Sequence, residues 1–182
     1  MSALLLAATL LATGSTPPRP EPAPARVEAR RCEREAGDDG DLAACREALR
    51  LGLREPHRTA VRQLLARRLA ERERFEELVD LYLEDTKERP GESEAWRRLG
   101  AARFFLRADP AGAFVALEEA AKLRTDDAFT HILRGLCLND LSRHVEAVAS
   151  FEEAPRLDPE ALDLRPAARA AFEAARRGLS WP

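Results

Sequence analysis

The sequence predicts an all-α fold built from repeated helix pairs. Apolar residues make up 45% of the 182-residue chain, enough for a folded core, whereas aromatic residues make up only 5%. Ala, Leu, Arg and Glu dominate and favour helices, while β-branched residues are scarce. The third observation is a pattern of small, bulky and proline positions that returns every 34 or 35 residues.

The charges disfavour nucleic acid as a partner. The net charge is −3, and acidic and basic residues are interspersed, so no basic field is available to hold a phosphate backbone. Of the 29 basic residues only Lys87 and Lys122 are lysines. This arginine bias is typical of GC-rich genomes and favours a bacterial source.

The N-terminus carries an uncharged apolar run at residues 3–12. The run is too short to span a bilayer but fits the apolar region of a secretory signal, with cleavage after Gly14 and with Ala12 and Gly14 as the small pair at the cleavage site. We therefore expect a signal peptide at 1–14, a periplasmic or secreted protein, and no transmembrane span. An uncleaved helix packed on the domain is the alternative. Residues 15–24 contain five prolines and predict an extended linker.

Internal repeats carry the main argument. Ala147, Phe151 and Pro159 define a frame in which a small residue is followed by an aromatic residue and then by a proline. Earlier copies of the frame are Ala113, Leu117 and Thr125, then Leu78, Tyr82 and Pro90, then Ala44, Ala48 and Pro56. Ala66, Ala101 and Gly135 precede three of these frames, and we expect their small side chains to let two helices approach closely. An irregular helical bundle with accidental spacing is the alternative.

Two local motifs resemble the tetratricopeptide repeat (TPR) family. The first is Trp96-Arg-Arg-Leu99-Gly100, and the second is Ala147-x₃-Phe151 followed by Leu157-Asp158-Pro159. The resemblance covers residues 25–161 and implies a right-handed superhelical solenoid, because the family stacks 34-residue pairs of antiparallel helices. The implied units are 25–58, 59–93, 94–127 and 128–161. The resemblance also implies a protein-binding function without catalysis or a cofactor.

Helix-start and helix-stop residues support this division. Asp109 can cap free amides ahead of Pro110, which suits a first helical turn. Asp126 or Asp127 is expected to cap the next helix, and Ser142 the one after it. Pro155 is expected to interrupt the second helix of the fourth unit.

Residues 162–182 are predicted to form a helix that caps the stack, because the end of a repeat array leaves an apolar face exposed. Pro166 would occupy its first turn and Gly178 would stop it. The residues expected to face the preceding pair are Ala168, Ala171, Phe172 and Ala175. A membrane-surface helix is the alternative, but an apolar face made mostly of alanine is too weak to insert.

The chain contains three cysteines. Cys32 and Cys45 would lie on the two helices of the first unit, where a disulfide would join them if the protein is exported. Two buried small side chains without a bond are the alternative. Cys137 lies in an apolar stretch and is predicted to be a buried free thiol.

No catalytic or metal-binding motif is present. His57, His131 and His144 do not pair with another ligand at metal-binding spacing on one helix face. The sequence also lacks a phosphate loop, a nucleophile elbow and a dinucleotide motif. We therefore predict no enzyme activity, no metal and no cofactor.

The family resemblance implies a binding surface on the inner, concave face, which first helices line. By repeat position, the implied residues are Gln63, Arg67, Arg98, Ala102, Phe105, Phe129, Ile132, Leu136 and Asn139. A one-residue ambiguity in the third unit could exchange Arg97 for Arg98 and Phe104 for Phe105. The apolar members could instead belong to the core, and the arginines could be a solvated surface.

The leading functional hypothesis is therefore an envelope scaffold that binds a partner segment with acidic and hydrophobic residues. A structural or assembly subunit of a larger envelope complex is the second hypothesis. A cytoplasmic adaptor that keeps its apolar N-terminus is the third.

Overall fold

A computed structural model of the chain describes residues 20–34, 39–163 and 165–179. All regular secondary structure in these ranges is α-helical, so the all-α prediction is confirmed. The helices are α1 (Ala23–Glu33), α2 (Gly40–Arg50), α3 (His57–Glu71), α4 (Phe75–Glu88), α5 (Ser93–Arg107), α6 (Pro110–Leu123), α7 (Ala128–Asp140), α8 (His144–Leu157) and α9 (Pro166–Leu179). The predicted signal peptide and residues 15–19 of the predicted linker lie outside the described residues, and α1 begins within the rest of the predicted linker, at Ala23.

The described residues form two compact units, divided inside α3. The first ends at Leu65 and the second begins at Ala66. The assignment of helices to four repeat units stays a prediction.

The first unit contains a hairpin in which α1 packs against α2. Its core consists mainly of small side chains, which let the two helices lie close together: Ala25, Ala29, Cys32, Leu42, Ala44, Cys45 and Ala48. Ahead of α1, Glu21 accepts hydrogen bonds from the backbone N–H of Arg54, at 3.1 Å, and from His57, at 3.0 Å. These bonds hold the segment before α1 to the residues that start α3.

In the second unit each helix from α4 to α9 packs against the next one in the chain. Contacts also skip one helix, since α5 touches α7 and α7 touches α9. Skipped contacts of this kind are expected where helix pairs stack in register. The helices α5, α7 and α9 therefore form one row of this unit.

Two glycines let the helices of a pair approach each other. A Cβ added to Gly135 of α7 would lie 2.8 Å from Cδ1 of Phe151, and one added to Gly100 of α5 would lie 2.6 Å from Cγ of Leu117. Gly135 was predicted in this role, but for α5 the prediction of Ala101 was wrong by one residue. Ala101 is half-buried, and Gly100 makes the close contact instead.

The start of α6 is capped as predicted, because Asp109 accepts a hydrogen bond from the N–H of Gly112 at 2.8 Å. Of the two candidates for α7, Asp127 is the cap. The prediction for Ser142 was wrong: it has a left-handed backbone with φ of 58°, and Arg143 follows it before α8 begins.

Two predictions about helix ends were also wrong. Pro155 lies inside α8 without interrupting it, since the helix continues to Leu157 and the N–H of the cap residue Asp158 bonds to Ala154 O at 2.9 Å. Gly178 does not stop α9, which continues to Leu179. A Cβ at Gly178 would lie 2.9 Å from Cδ2 of His144, so its small size serves a contact with α8.

The helix α9 covers the α7–α8 pair, as the capping prediction requires. Ala168 and Ala175 are buried in the same core cluster as Phe151, and Ala171 and Phe172 pack against that cluster. The rings of Phe151 and Phe172 have centroids 5.5 Å apart. At the end of this unit, α9 therefore buries its apolar side against the α7–α8 pair.

We predict that Gly135→Ala lowers the free energy of unfolding by about 1–3 kcal/mol, because the added methyl group must displace the Phe151 ring. Urea denaturation monitored by circular dichroism measures this. The control is Gly91→Ala, where a Cβ meets nothing within 4 Å and the backbone is not left-handed. Equal stability of the two variants would contradict the close-packing argument.

Candidate partner-binding surface

The predicted surface begins on α3, where Gln63 and Arg67 are both exposed. Gln63 belongs to the first unit and Arg67 to the second. Arg67 Nε lies 3.6 Å from Glu71 Oε1 one turn later, and both side chains are more than half exposed. The charge on Arg67 is therefore accessible and only weakly held.

The three members on α5 differ in exposure. Arg98 is half-buried and donates to Glu94 at 2.8 Å. Ala102 is only 6% exposed, so its place on an accessible surface was predicted wrongly. Phe105 is 60% exposed, with its ring edge-on to Phe104 at a centroid distance of 5.0 Å.

The members on α7 are mostly occupied by internal contacts. Ile132 is 1% exposed and lies in the core cluster, so the alternative of a core role holds for it and its assignment to the surface is corrected. Leu136 is half-buried against the core. Asn139 Oδ1 lies 3.0 Å from His144 Nδ1, a contact between the end of α7 and the start of α8. Of the predicted apolar residues on α7, Phe129 is therefore the remaining candidate for the partner-binding surface.

The Phe129 ring is approached by two guanidinium groups. The guanidinium carbon of Arg97 lies 5.2 Å from the ring centroid, and that of Arg165 lies 4.8 Å from it. Both distances fall within the range of cation–π attraction. We call Arg97, Phe129 and Arg165 the arginine–phenylalanine cluster. It brings together α5, α7 and the residue before α9, so it lies on the row of first helices.

The sequence predicted only part of this cluster. Phe129 was named, and Arg97 was the alternative to Arg98. Arg165 was missed because it precedes α9, outside the repeat positions. A cation beside an aromatic residue 36 positions earlier gives no signal in the linear sequence.

Asp127 positions the cluster. Its carboxylate accepts hydrogen bonds from the Phe129 N–H at 3.1 Å and from the Thr130 hydroxyl at 2.8 Å. It also lies 3.1 Å from Nε of Arg97. One side chain therefore caps α7 and holds the arginine of α5 beside the ring.

The cluster and its neighbours carry a small positive excess. Arg97, Arg98 and Arg165 provide three positive charges, whereas Glu94 and Asp127 provide two negative ones. Glu94 pairs with both Arg97 and Arg98. The sequence had suggested arginines at one end of the surface and apolar residues at the other, whereas the positive charge of these residues lies near Phe129.

We predict that Asp127→Ala lowers the free energy of unfolding by about 2 kcal/mol, since the α7 cap and the Arg97 ion pair are both lost. Asp127→Asn keeps an oxygen for the Phe129 amide and should lower it by about 1 kcal/mol or less. Chemical denaturation of both variants checks this order. If both variants lost the same free energy of unfolding, the oxygen that Asn keeps would contribute nothing as a cap of α7.

The first unit contains a disulfide between Cys32 and Cys45, with Cα atoms 4.7 Å apart. The two residues are 13 positions apart, and closing a loop of about that size stabilises a fold by about 3 kcal/mol. Cys137 is a buried free thiol, as predicted. Burial, and then the nearby carboxylate of Asp140, raise the pKa of Cys137 to about 12.

We predict that the native protein resists alkylation by iodoacetamide at pH 8, because Cys137 stays a neutral, buried thiol. Denaturant alone should expose one reactive thiol, and denaturant with reductant should expose three. Intact-mass measurement counts the added groups. Rapid alkylation of the native chain, or three thiols without reductant, would contradict these assignments.

The histidines lie apart and have ordinary structural contacts. His57 donates to Glu21, which lowers the pKa of that carboxyl below its ordinary value. His131 contacts a backbone carbonyl, and His144 contacts Asn139. Within residues 20–34, 39–163 and 165–179, no group of three or more His, Cys, Asp or Glu side chains could hold a metal ion.

None of the helices in the described part of the chain is both long and apolar enough to cross a lipid bilayer.

No protein-family model matches the sequence, and no curated protein matches it either. Solved structures are similar in fold. A crystal structure of MamA protein has a TM-score of 0.61 and 18% identity, covering 86% of this chain and 88% of that one. MamA 41-end from Desulfovibrio magneticus RS-1 has a TM-score of 0.61 and 19% identity, covering 88% and 94%. At this identity the likeness establishes the fold alone: the chain is an all-α helical-repeat solenoid of the TPR type, as its sequence predicted.

Proposed function

We propose that the protein is a non-enzymatic interaction scaffold of the bacterial cell envelope. It binds a segment of a protein partner on its first helices and on the residue before α9, where the accessible residues are Arg67, Arg97, Arg98, Phe105 and Arg165. The observation that carries this proposal is the arginine–phenylalanine cluster, in which guanidinium groups of two separate elements meet on one ring. Arginine and aromatic residues dominate the energetics of protein interfaces.

Two features support an exported location. The apolar run at residues 3–12 has the length and position of a secretory signal. The Cys32–Cys45 disulfide would persist in an oxidising compartment and would be reduced in most cytoplasms. Intact-mass analysis of protein from the native host tests this location: a chain beginning after Gly14 supports it, and one beginning at Met1 contradicts it.

We predict that partner capture is lost when the charge of the surface is reversed by Arg67→Glu with Arg98→Glu. Both arginines are at least partly exposed, and surface ion pairs on one helix contribute little to stability, so the fold should tolerate the change. The tagged protein is crosslinked in the native host, and the proteins that co-purify are identified by mass spectrometry.

The matched control is Arg124→Glu with Arg156→Glu, which makes the same change in net charge. These exposed arginines follow or end the second helices α6 and α8, and each pairs with an acidic neighbour. Loss of the partner in the first variant alone supports the proposal. Equal recovery by all three proteins would overturn it.

A second function, as a structural or assembly subunit, has one observation in its favour. Second helices carry exposed apolar side chains, including Leu123 and Leu157, which are 34 residues apart and 45% and 40% exposed. Val115 and Val145 on the same two helices are 60% and 68% exposed. Size-exclusion chromatography with light scattering distinguishes the two functions, because a monodisperse monomer contradicts obligatory assembly.

A further inference from the structure

Arg165 has binding capacity that the fold does not use. Its Nη1 donates to the carbonyl of Ala161 at 2.7 Å, and its guanidinium carbon lies 4.8 Å from the Phe129 ring centroid. A guanidinium has five N–H donors, so this one hydrogen bond leaves the other donors available. Among the described residues, no carboxylate pairs with Arg165.

The neighbouring arginines differ in this respect. Arg97 pairs with Asp127 and Glu94, and Arg98 pairs with Glu94. Their charges are therefore largely compensated within the protein. The positive excess of this surface is located at Arg165, which is half-buried and restrained by Phe129 and Ala161.

We propose that Arg165 binds an acidic side chain of the partner segment, an Asp or Glu whose carboxylate accepts hydrogen bonds from the guanidinium group. This inference rests on the proposed scaffold function and names its partner chemistry. A guanidinium that is already restrained by a hydrogen bond and a neighbouring ring loses little freedom on binding, and a bidentate pair with a carboxylate is strong and directional. Charge complementarity thus selects an acidic segment at this position.

The same geometry revises the expected role of Phe129. Its ring is approached by both Arg97 and Arg165, so it orients two cations at this surface. The exposed aromatic member of the row is Phe105, near the other end of α5. An apolar residue of the partner would therefore bind away from the acidic one.

A nucleic acid fits this surface less well than an acidic protein segment. A phosphodiester chain is held by several cations in succession. Of the described arginines Arg67, Arg97, Arg98 and Arg165 on this surface, Arg165 alone lacks a carboxylate partner. The net charge of −3 would also repel a polyanion. A short protein segment with one acidic side chain needs only one such arginine.

The test is a selection of random twelve-residue peptides on the immobilised full-length protein. We expect the recovered peptides to be enriched in Asp and Glu. Fluorescence anisotropy then compares the best peptide on the wild type, on Arg165→Gln and on Arg156→Gln, an exposed arginine of α8. Arg165→Gln should weaken binding by about tenfold or more, and Arg156→Gln should leave it unchanged.

Each outcome has a distinct meaning. Acidic enrichment that depends on Arg165 supports the inference, and enrichment without acidic bias, or binding unaffected by Arg165→Gln, overturns it while the scaffold function stands. If no peptide is enriched at all, the scaffold function itself is contradicted. Arg165→Lys keeps the positive charge but loses the planar guanidinium group, so it should bind the peptide with intermediate affinity. The peptide selection uses only the wild-type protein, so its result does not depend on whether a variant folds.

Discussion

The close approach of paired helices at glycine is the contact on which the second unit depends. Gly135 lies against the ring of Phe151, and Gly100 lies against Leu117. Each bulky side chain fills space that a Cβ on the partner helix would occupy, so the two helices can share one dense core layer. Because Phe151 also contacts Phe172 of α9, the same layer extends to the helix that covers the end of the unit.

Sequence reasoning succeeded where the determinants are local or periodic. The repeat spacing marked Gly135 and Phe151 before any coordinates, and short-range rules identified Asp109 and Pro110 at the start of α6. It failed by one residue at Gly100, because α5 is two residues longer than α7 while the turn after it is one residue shorter, and a constant spacing cannot represent this. Pro155 was misjudged because only two residues of α8 follow it, so the hydrogen bond that it cannot donate lies in the last turn of the helix.

The candidate surface was less predictable, and the reason is the distance in sequence between its members. Repeat positions located Phe129, but they could not decide whether a first-helix residue faces the groove or the core, and Ile132 and Ala102 turned out to be buried. Arg165 contacts Phe129 only because α9 packs on α7 and brings the preceding residue to the ring. Such a contact follows from tertiary packing and has no local motif.

Asp127 links the stability of the fold to the state of this surface. The same carboxylate satisfies the amide of Phe129, accepts from Thr130 and holds Arg97, so the cap of α7 and the orientation of the arginine form together. If α7 frays at its first turn, Phe129 moves, and the guanidinium groups of Arg97 and Arg165 lose their contact with its ring. The proposed partner-binding surface therefore includes a helix start, the part of a helix most easily opened, and Asp127 is the side chain that holds this start together.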